Sequence, residues 1–248
     1  MLCGRGVRRI RRNPAYLVDV TVQPVLFLVM FVYLFGGAIA GDRGTYLRDL
    51  VPGLMVPTAV LASIAVGAGL STDVTTGVFD RFRSMPIPRS APLTGAVLAD
   101  VVRYLIAFVV LLTAGVLMGF RVRTGPLEVL AAAGLLVLAG LCFCWVSVYI
   151  GMVARRAASV QGVAVAVFMP FVFGSNVFVA GDTMPGWLRS WSAINPVSLL
   201  ADVERGLLNG GTGPLAAALA WLAGVGLVFF PLAMRAYRRR SGVRGGSG

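Results

Sequence analysis

Six apolar runs, each about twenty residues long, leave this chain few folds to adopt. They lie near residues 17–40, 50–70, 101–120, 129–152, 158–180 and 214–234. A helix rises about 1.5 Å per residue, so each run is long enough to cross a hydrocarbon core of about 30 Å. Pro52, Pro57 and Pro170 make the second and fifth runs the least regular. The pattern predicts an all-α polytopic membrane protein with six transmembrane helices, forming a single domain over residues 1–240.

The residue types that the chain lacks exclude several kinds of chemistry. It contains no His, and all 22 of its basic residues are Arg. A Walker A lysine, a Schiff base, a His-based triad and a His proton relay are therefore impossible. Cys3, Cys142 and Cys144 do not follow a metal-ligand spacing, and we expect ordinary thiols. The sequence predicts a protein that is not an enzyme, with no catalytic residue, no metal site and no cofactor of its own.

The distribution of arginine predicts the orientation in the membrane. With both termini in the cytoplasm, sixteen arginines fall on the inner side and six on the outer side. The positive-inside rule favours this arrangement, and terminal Arg clusters suit anionic lipid better than nucleic acid. We expect residues 4–16 to form a basic amphipathic interface helix, with no cleavable signal peptide. The Gly/Ser-rich residues 241–248 are expected to be disordered.

The loop between the second and third runs combines charge with bulky apolar residues. Phe79, Phe82 and Met85 recur at helical spacing, so a short helix here would have one apolar face. A loop that only stays in water has no use for such a face, so we expect it to dock on a partner. The predicted coupling residues are Phe79, Asp80, Arg81, Phe82, Arg83, Ser84, Met85 and Pro86.

Two segments towards the end of the chain carry further expectations. Residues 181–213 mix Trp and Leu with polar side chains, which predicts one or two short amphipathic helices at, or dipping into, the outer leaflet. In the fifth run, Pro170 loosens the helix within an aromatic stretch. Two readings stay open there: ordinary packing, or a path for an amphipathic substrate. The path residues would be Phe168, Phe171, Asn176 and Phe178.

Charged and small residues near the spans carry weaker signals. Asp73 and Asp100 lie near predicted inner ends and are expected to pair with neighbouring Arg. Gly37-x-x-x-Gly41 and Gly115-x-x-x-Gly119 would allow close helix approach, although this spacing arises easily in a chain with 31 Gly.

Three motifs in order along the chain resemble those of one transporter family. The first runs from Arg12-Asn13-Pro14 through Gln23-Pro24 to Phe35-Gly36-Gly37, and the second is Asp80-Arg81-Phe82-Arg83-Ser84-Met85-Pro86. The third comprises Asp182 to Leu188 with Met184, Pro185 and Trp187, then Asn195, Pro196 and Arg205. Together they resemble the membrane subunit of type-2 ABC exporters, close to the actinobacterial daunorubicin/doxorubicin-resistance permeases.

That resemblance implies partners and a location. Two permease subunits, identical or different, would pair in the bacterial cytoplasmic membrane. Each would dock a separately encoded ABC ATPase that binds ATP and Mg, with residues 80–86 as the coupling helix. The cargo of this family is varied, including drugs, lipids and polysaccharides. Pro88 departs from the small polar residue that relatives often carry there.

Other functions remain alternatives at this point. An ion-coupled secondary transporter would be expected to carry carboxylates or His in mid-membrane, and the sequence offers neither there. An intramembrane Ser–His protease needs the missing His. A non-catalytic membrane scaffold would have no ATPase partner.

Overall fold

The computed structural model describes residues 14–39, 43–75, 91–154, 157–179 and 181–243. These residues form eight α-helices and one 3₁₀ turn, without any strand. The helices are α1 (Pro14–Ile39), α2 (Arg43–Thr75), α3 (Ala91–Leu117), α4 (Pro126–Val153), α5 (Ala157–Phe173), α6 (Gly186–Ile194), α7 (Pro196–Asn209) and α8 (Leu215–Val243). The 3₁₀ turn is Gly181–Thr183. The all-α prediction is confirmed for this part of the chain.

Four helices in the described ranges are long and apolar enough to cross a membrane. Their candidate spans are Gly44–Thr72, Asp100–Leu117, Pro126–Val153 and Leu215–Tyr237. The shorter apolar stretches Thr21–Leu34 and Ser159–Phe173 belong to α1 and α5. The chain is therefore a multi-pass membrane protein, whereas the count of six spans remains a prediction.

Helix α5 ends earlier than the apolar run from which it was predicted. It stops at Phe173, and residues 174–179 follow in turns rather than continuing as helix to residue 180. Pro170 weakens the last turn because its ring removes a backbone donor. Gly174 then allows a close approach, since a Cβ there would lie 2.6 Å from the Trp191 indole nitrogen. Apolar content alone did not reveal this end.

Helices α2 and α4 form the central pair of the bundle. Their closest approach uses glycines: a Cβ on Gly67 would collide with the carbonyl of Ser147, and one on Gly151 with the carbonyl of Gly67. Beside this crossing, the Ser63 and Ser147 hydroxyls share a hydrogen bond of 3.0 Å. One apolar core lies between this pair and α1 and α3, and another between it and α5, α7 and α8. A third apolar cluster lies between this pair and the later part of α8, so the central pair contributes to all three clusters.

Helix α3 contains residues from two of the sequence predictions, the pairing of Asp100 with an arginine and the Gly115-x-x-x-Gly119 spacing. Asp100 pairs with Arg103 at 3.4 Å, as predicted, and Arg103 also donates to the Ala62 carbonyl of α2 at 2.6 Å. Gly115 packs against Val51 of α2 within the same chain, and Gly119 lies past the end of α3 with φ +107°. Gly115 thus serves a contact inside the chain, and the tightest helix crossing uses Gly67 and Gly151 instead.

Some predicted features fall wholly or partly outside the described residues. The coupling segment Phe79–Pro86 lies outside them, as do residues 1–13 of the chain and the end of the tail. Of the predicted interface helix over residues 4–16, only residues 14–16 are described, and they belong to α1, which begins at Pro14. Of the predicted disordered tail over residues 241–248, residues 241–243 are described, and they belong to α8, which ends at Val243. The helix therefore extends into the part of the tail that we expected to be disordered.

Candidate functional site at the α7 end of the bundle

Helix α7 begins with a strong local start signal. Asn195 caps it, because its side-chain oxygen accepts from the Val197 amide at 2.9 Å, and Pro196 fills the first helical position. The Asn195 amide group also donates to the carbonyl of Phe171 at 2.8 Å. One side chain thus starts α7 and fastens it to the end of α5.

The two short helices before α8 lie in different surroundings. Helix α6 exposes Trp187 and Ile194. Helix α7 instead buries Val197, Leu200 and Leu208 completely, and it packs against α2, α4, α5 and α8. Two short helices therefore precede α8, and α7 is packed among other helices of the bundle; their place at the outer leaflet stays a prediction.

Arg205 joins three separate segments at this end of the bundle. Its guanidinium donates to the Asp49 carbonyl of α2 at 3.0 Å and to the Asn176 carbonyl at 2.8 Å. It also forms an ion pair with Asp202, one turn earlier on α7, at 2.8 Å. Gly53 leaves room for it, because a Cβ there would lie 3.1 Å from the Arg205 terminal nitrogen. We call these contacts the Arg205 clamp.

Asn176 completes this clamp from the loop that follows α5. Its side-chain amide donates to both carboxylate oxygens of Asp202, at 2.9 and 3.0 Å. Its backbone N–H donates to the Ser198 hydroxyl at 3.2 Å, and that hydroxyl lies 3.0 Å from the Ser192 hydroxyl. The clamp is therefore a polar network in which charged groups are largely neutralised by partners.

The structure distributes the predicted substrate-path residues among different contacts. Phe168 is buried and meets Phe143 of α4 edge-on, with ring centroids 5.9 Å apart. Phe171 packs beside Trp191 at 5.6 Å, and Phe178 stacks on Phe31 of α1 at 4.7 Å. Asn176 belongs to the Arg205 clamp. Phe168, Phe171 and Phe178 all contact the apolar core that α5, α7 and α8 form with the central pair, and the role of the four residues as a path stays a prediction.

An open apolar groove lies elsewhere, between α4 and α8. Trp145 and Phe230 meet edge-on in its wall, with ring centroids 4.7 Å apart. None of the predicted path residues lines it. Over the described ranges, no three Cys, Asp or Glu side chains lie close enough to hold a metal ion.

The predicted outer-motif residues separate into two groups. Met184 is buried after the 3₁₀ turn, Pro185 precedes α6, and Trp187 is 75% exposed. Asn195, Pro196 and Arg205 all belong to α7, where they start the helix and hold it in place. Sequence reasoning missed Asp202, although its spacing of three residues from Arg205 is typical of a helical ion pair. It also missed Ser198, for which the sequence carries no signal.

A clamp of side-chain contacts to main-chain carbonyls can hold helices together. Residues 1–208 match the family described as "ABC-2 type transporter". The chain belongs to that family.

Two relatives share nearly the whole length of the chain. A daunorubicin resistance ABC transporter permease protein of Streptomyces coeruleorubidus is 38% identical over 239 residues, covering 96% of this chain and 84% of the relative. A protein of Mycobacterium tuberculosis named "Probable doxorubicin resistance ABC transporter permease protein" is 28% identical over 243 residues, covering 96% and 87%. The resemblance seen in the sequence motifs is confirmed. Both relatives are named as ABC transporter permease proteins.

Proposed function

We propose that the chain is the membrane-spanning permease subunit of an ATP-driven exporter. Its energy would come from a separately encoded ATP-binding subunit that holds the ATP and Mg. The observation that carries this proposal is the family match over residues 1–208, which includes all three sequence motifs. A transporter of this kind needs two permeases, identical or different, and two ATPase subunits.

The docking site for the ATPase would be the segment Phe79–Pro86. Phe79, Phe82 and Met85 would supply apolar contact area, while Asp80, Arg81 and Arg83 would fix orientation, as charges at an interface rim do. The segment follows α2, which belongs to the central helix pair. A movement imposed on it would therefore act directly on the helix that contacts most of the bundle.

During alternating access, the α7 end of the bundle would open and close. By the positive-inside rule, this end would lie on the outer side of the membrane. The Arg205 clamp ties α7 to the start of α2 and to the loop after α5, so it holds this end closed. Opening the bundle outward would require these contacts to break, and ATP binding by the partner would supply the free energy.

The cargo would be an amphipathic drug, lipid or glycan-type molecule. The names of the two relatives favour a drug of the anthracycline kind. Phe168, Phe171, Asn176 and Phe178 remain the proposed path, which would form only when α5 and α7 separate from their present neighbours. Both termini would lie in the cytoplasm.

The docking proposal is tested by co-purification from the native host. Phe82→Ala is expected to lose most of the co-purifying ATPase activity while the permease still inserts in the membrane. Ile87→Ala is the matched control, because it removes an apolar side chain just beyond the proposed docking residues. Arg83→Glu is expected to behave like Phe82→Ala, since it reverses a charge at the same interface.

Equal ATPase recovery with wild type and Phe82→Ala would overturn the docking site. If no ATP-binding subunit co-purifies even with the wild-type chain, the exporter proposal itself fails. A secondary transporter or a scaffold would then explain the chain better.

A further inference from the structure

Glu204 lies in the most unfavourable position of any acidic side chain in the described ranges. It is 0% exposed, and neither of its carboxyl oxygens has a hydrogen-bond partner among the residues that the structure describes. It belongs to the buried face of α7, where Leu200, Ala201 and Leu208 are also 0% exposed. Helix α7 is not among the candidate spans, so Glu204 lies on a helix separate from them.

No side chain in the described part of the chain forms a hydrogen bond with the Glu204 carboxyl group. Helix α5 has no ionisable residue, and α8 has none before Arg235. The ionisable residues at the α7 ends of the remaining neighbours are Arg43, Tyr46, Arg48, Asp49, Glu128 and Arg189. The connection between α3 and α4 adds Arg121 and Arg123, and the Arg123 N–H donates to the Leu208 carbonyl of α7 at 3.1 Å. On α7 itself, Arg205 already pairs with Asp202. Burial raises the pKa of Glu204 well above its usual range.

An ionised carboxylate without a partner is strongly disfavoured in such surroundings, whereas a protonated one is tolerated. We infer that Glu204 is a proton-binding site: it holds a proton while α7 is packed in the bundle and gives it up when α7 moves into water. On release, the carboxyl O–H bond breaks, the proton passes to water, and the carboxylate is left solvated. The inference depends on the packing of Glu204, so it stands apart from the ATPase partner proposed above.

The raised pKa of Glu204 decides how pH affects the packing of α7. Glu204 binds its proton more tightly when α7 is packed than when α7 is separated and solvated. The resulting stabilisation of the packed state is therefore complete below pH 4.5, the ordinary pKa of a Glu side chain. Above that value, the ratio of separated to packed α7 rises about tenfold for each pH unit until the packed-state pKa is reached. An acidic medium at the α7 end therefore keeps the bundle closed, and an alkaline one favours opening.

Hydrogen exchange on the full-length chain in nanodiscs tests this link. After correction for the intrinsic effect of pH, protection of peptides from residues 196–209 is expected to fall about tenfold per pH unit in wild type. Glu204→Gln, which imitates the neutral acid, is expected to remove this dependence. Peptides around Gly67 serve as the internal reference, because no buried acid lies on that part of α2.

A second variant and a second readout keep the test decisive. If Glu204→Gln does not fold, Glu204→Met, which is similar in length and apolar, is expected to fold and to show the same loss of pH dependence. Infrared spectra at neutral pH should show a carboxylic-acid carbonyl band that Glu204→Gln or Glu204→Met removes and Asp100→Asn leaves. The same pH dependence in wild type and variant, or an ionised Glu204 at neutral pH, would overturn the inference.

Discussion

Asn209 donates its side-chain amide to the main-chain carbonyl of Arg48 at 2.9 Å, across 161 residues of chain. The carbonyl is available because Pro52, four residues further along α2, has no backbone N–H to donate to it. The end of α7 thus supplies a hydrogen bond that the proline removed. Together with the Arg205 clamp, this contact fixes α7 against the start of α2.

The link between Asn209 and Pro52 can be tested by a double-mutant cycle. Asn209→Ala in the wild-type background should destabilise the protein by about 1 kcal/mol, because the Arg48 carbonyl loses its donor. In a Pro52→Ala background, the restored backbone N–H can take its place, so the same change should cost much less. Thermal unfolding of all four proteins in nanodiscs measures this. Equal costs in the two backgrounds would show that Pro52 does not create the need for Asn209.

The close crossing of α2 and α4 predicts a large difference between two neighbouring glycines. Gly67→Ala would place a methyl group against the Ser147 carbonyl and should destabilise the bundle by about 1–3 kcal/mol. Gly69→Ala is the matched control, because no atom lies within 4 Å of a Cβ at that position. That change should be neutral or slightly stabilising. Melting temperatures that shift equally for both variants would argue against the crossing.

The Arg205 clamp predicts a specific weakening of the α7 end. Arg205→Ala should destabilise the packing of α7 by about 2–3 kcal/mol, since charged hydrogen bonds to several segments are lost. Arg189→Ala is the comparison, because Arg189 lies on exposed α6 and donates to the Gly181 carbonyl of its own segment at 3.0 Å. Hydrogen exchange of residues 174–179 should rise with the first variant and stay near wild type with the second. Similar exchange rates of residues 174–179 in the two variants would show that Arg205 does not hold this end of the bundle together.

The orientation is tested by cysteine labelling in a background without Cys3, Cys142 and Cys144. A membrane-impermeant maleimide added to intact cells should label Arg121→Cys, which lies between α3 and α4. Arg239→Cys, near the end of α8, should be labelled only after the cells are opened. The reverse pattern would invert the topology and place the Arg205 clamp on the cytoplasmic side.

The apolar runs predicted the long helices well because the length of a membrane span is set by the bilayer. Helices α3, α4 and α8 contain the predicted runs almost completely. The end of α5 was missed because it depends on Gly174 accommodating Trp191. That contact joins residues from two elements, so hydropathy along the chain carries no trace of it.

The packing of α7 could not be read from sequence for the same reason. Its mixture of apolar and polar residues is typical of a helix at a membrane surface. In the structure, Asp202, Arg205 and Asn209 find partners on α2 and in residues 174–179, and those pairings are non-local. The motif residues Asn195, Pro196 and Arg205 were identified from the resemblance, but their contacts emerged only from the fold.

The central claim, that this chain is the permease of an ATP-driven exporter, is tested most directly by native mass spectrometry. The chain would be purified gently from membranes of its native host, without added partners. The account predicts a complex of two permease subunits with two ATP-binding subunits, carrying vanadate-sensitive ATPase activity. A chain that is found repeatedly without any ATP-binding subunit would contradict it.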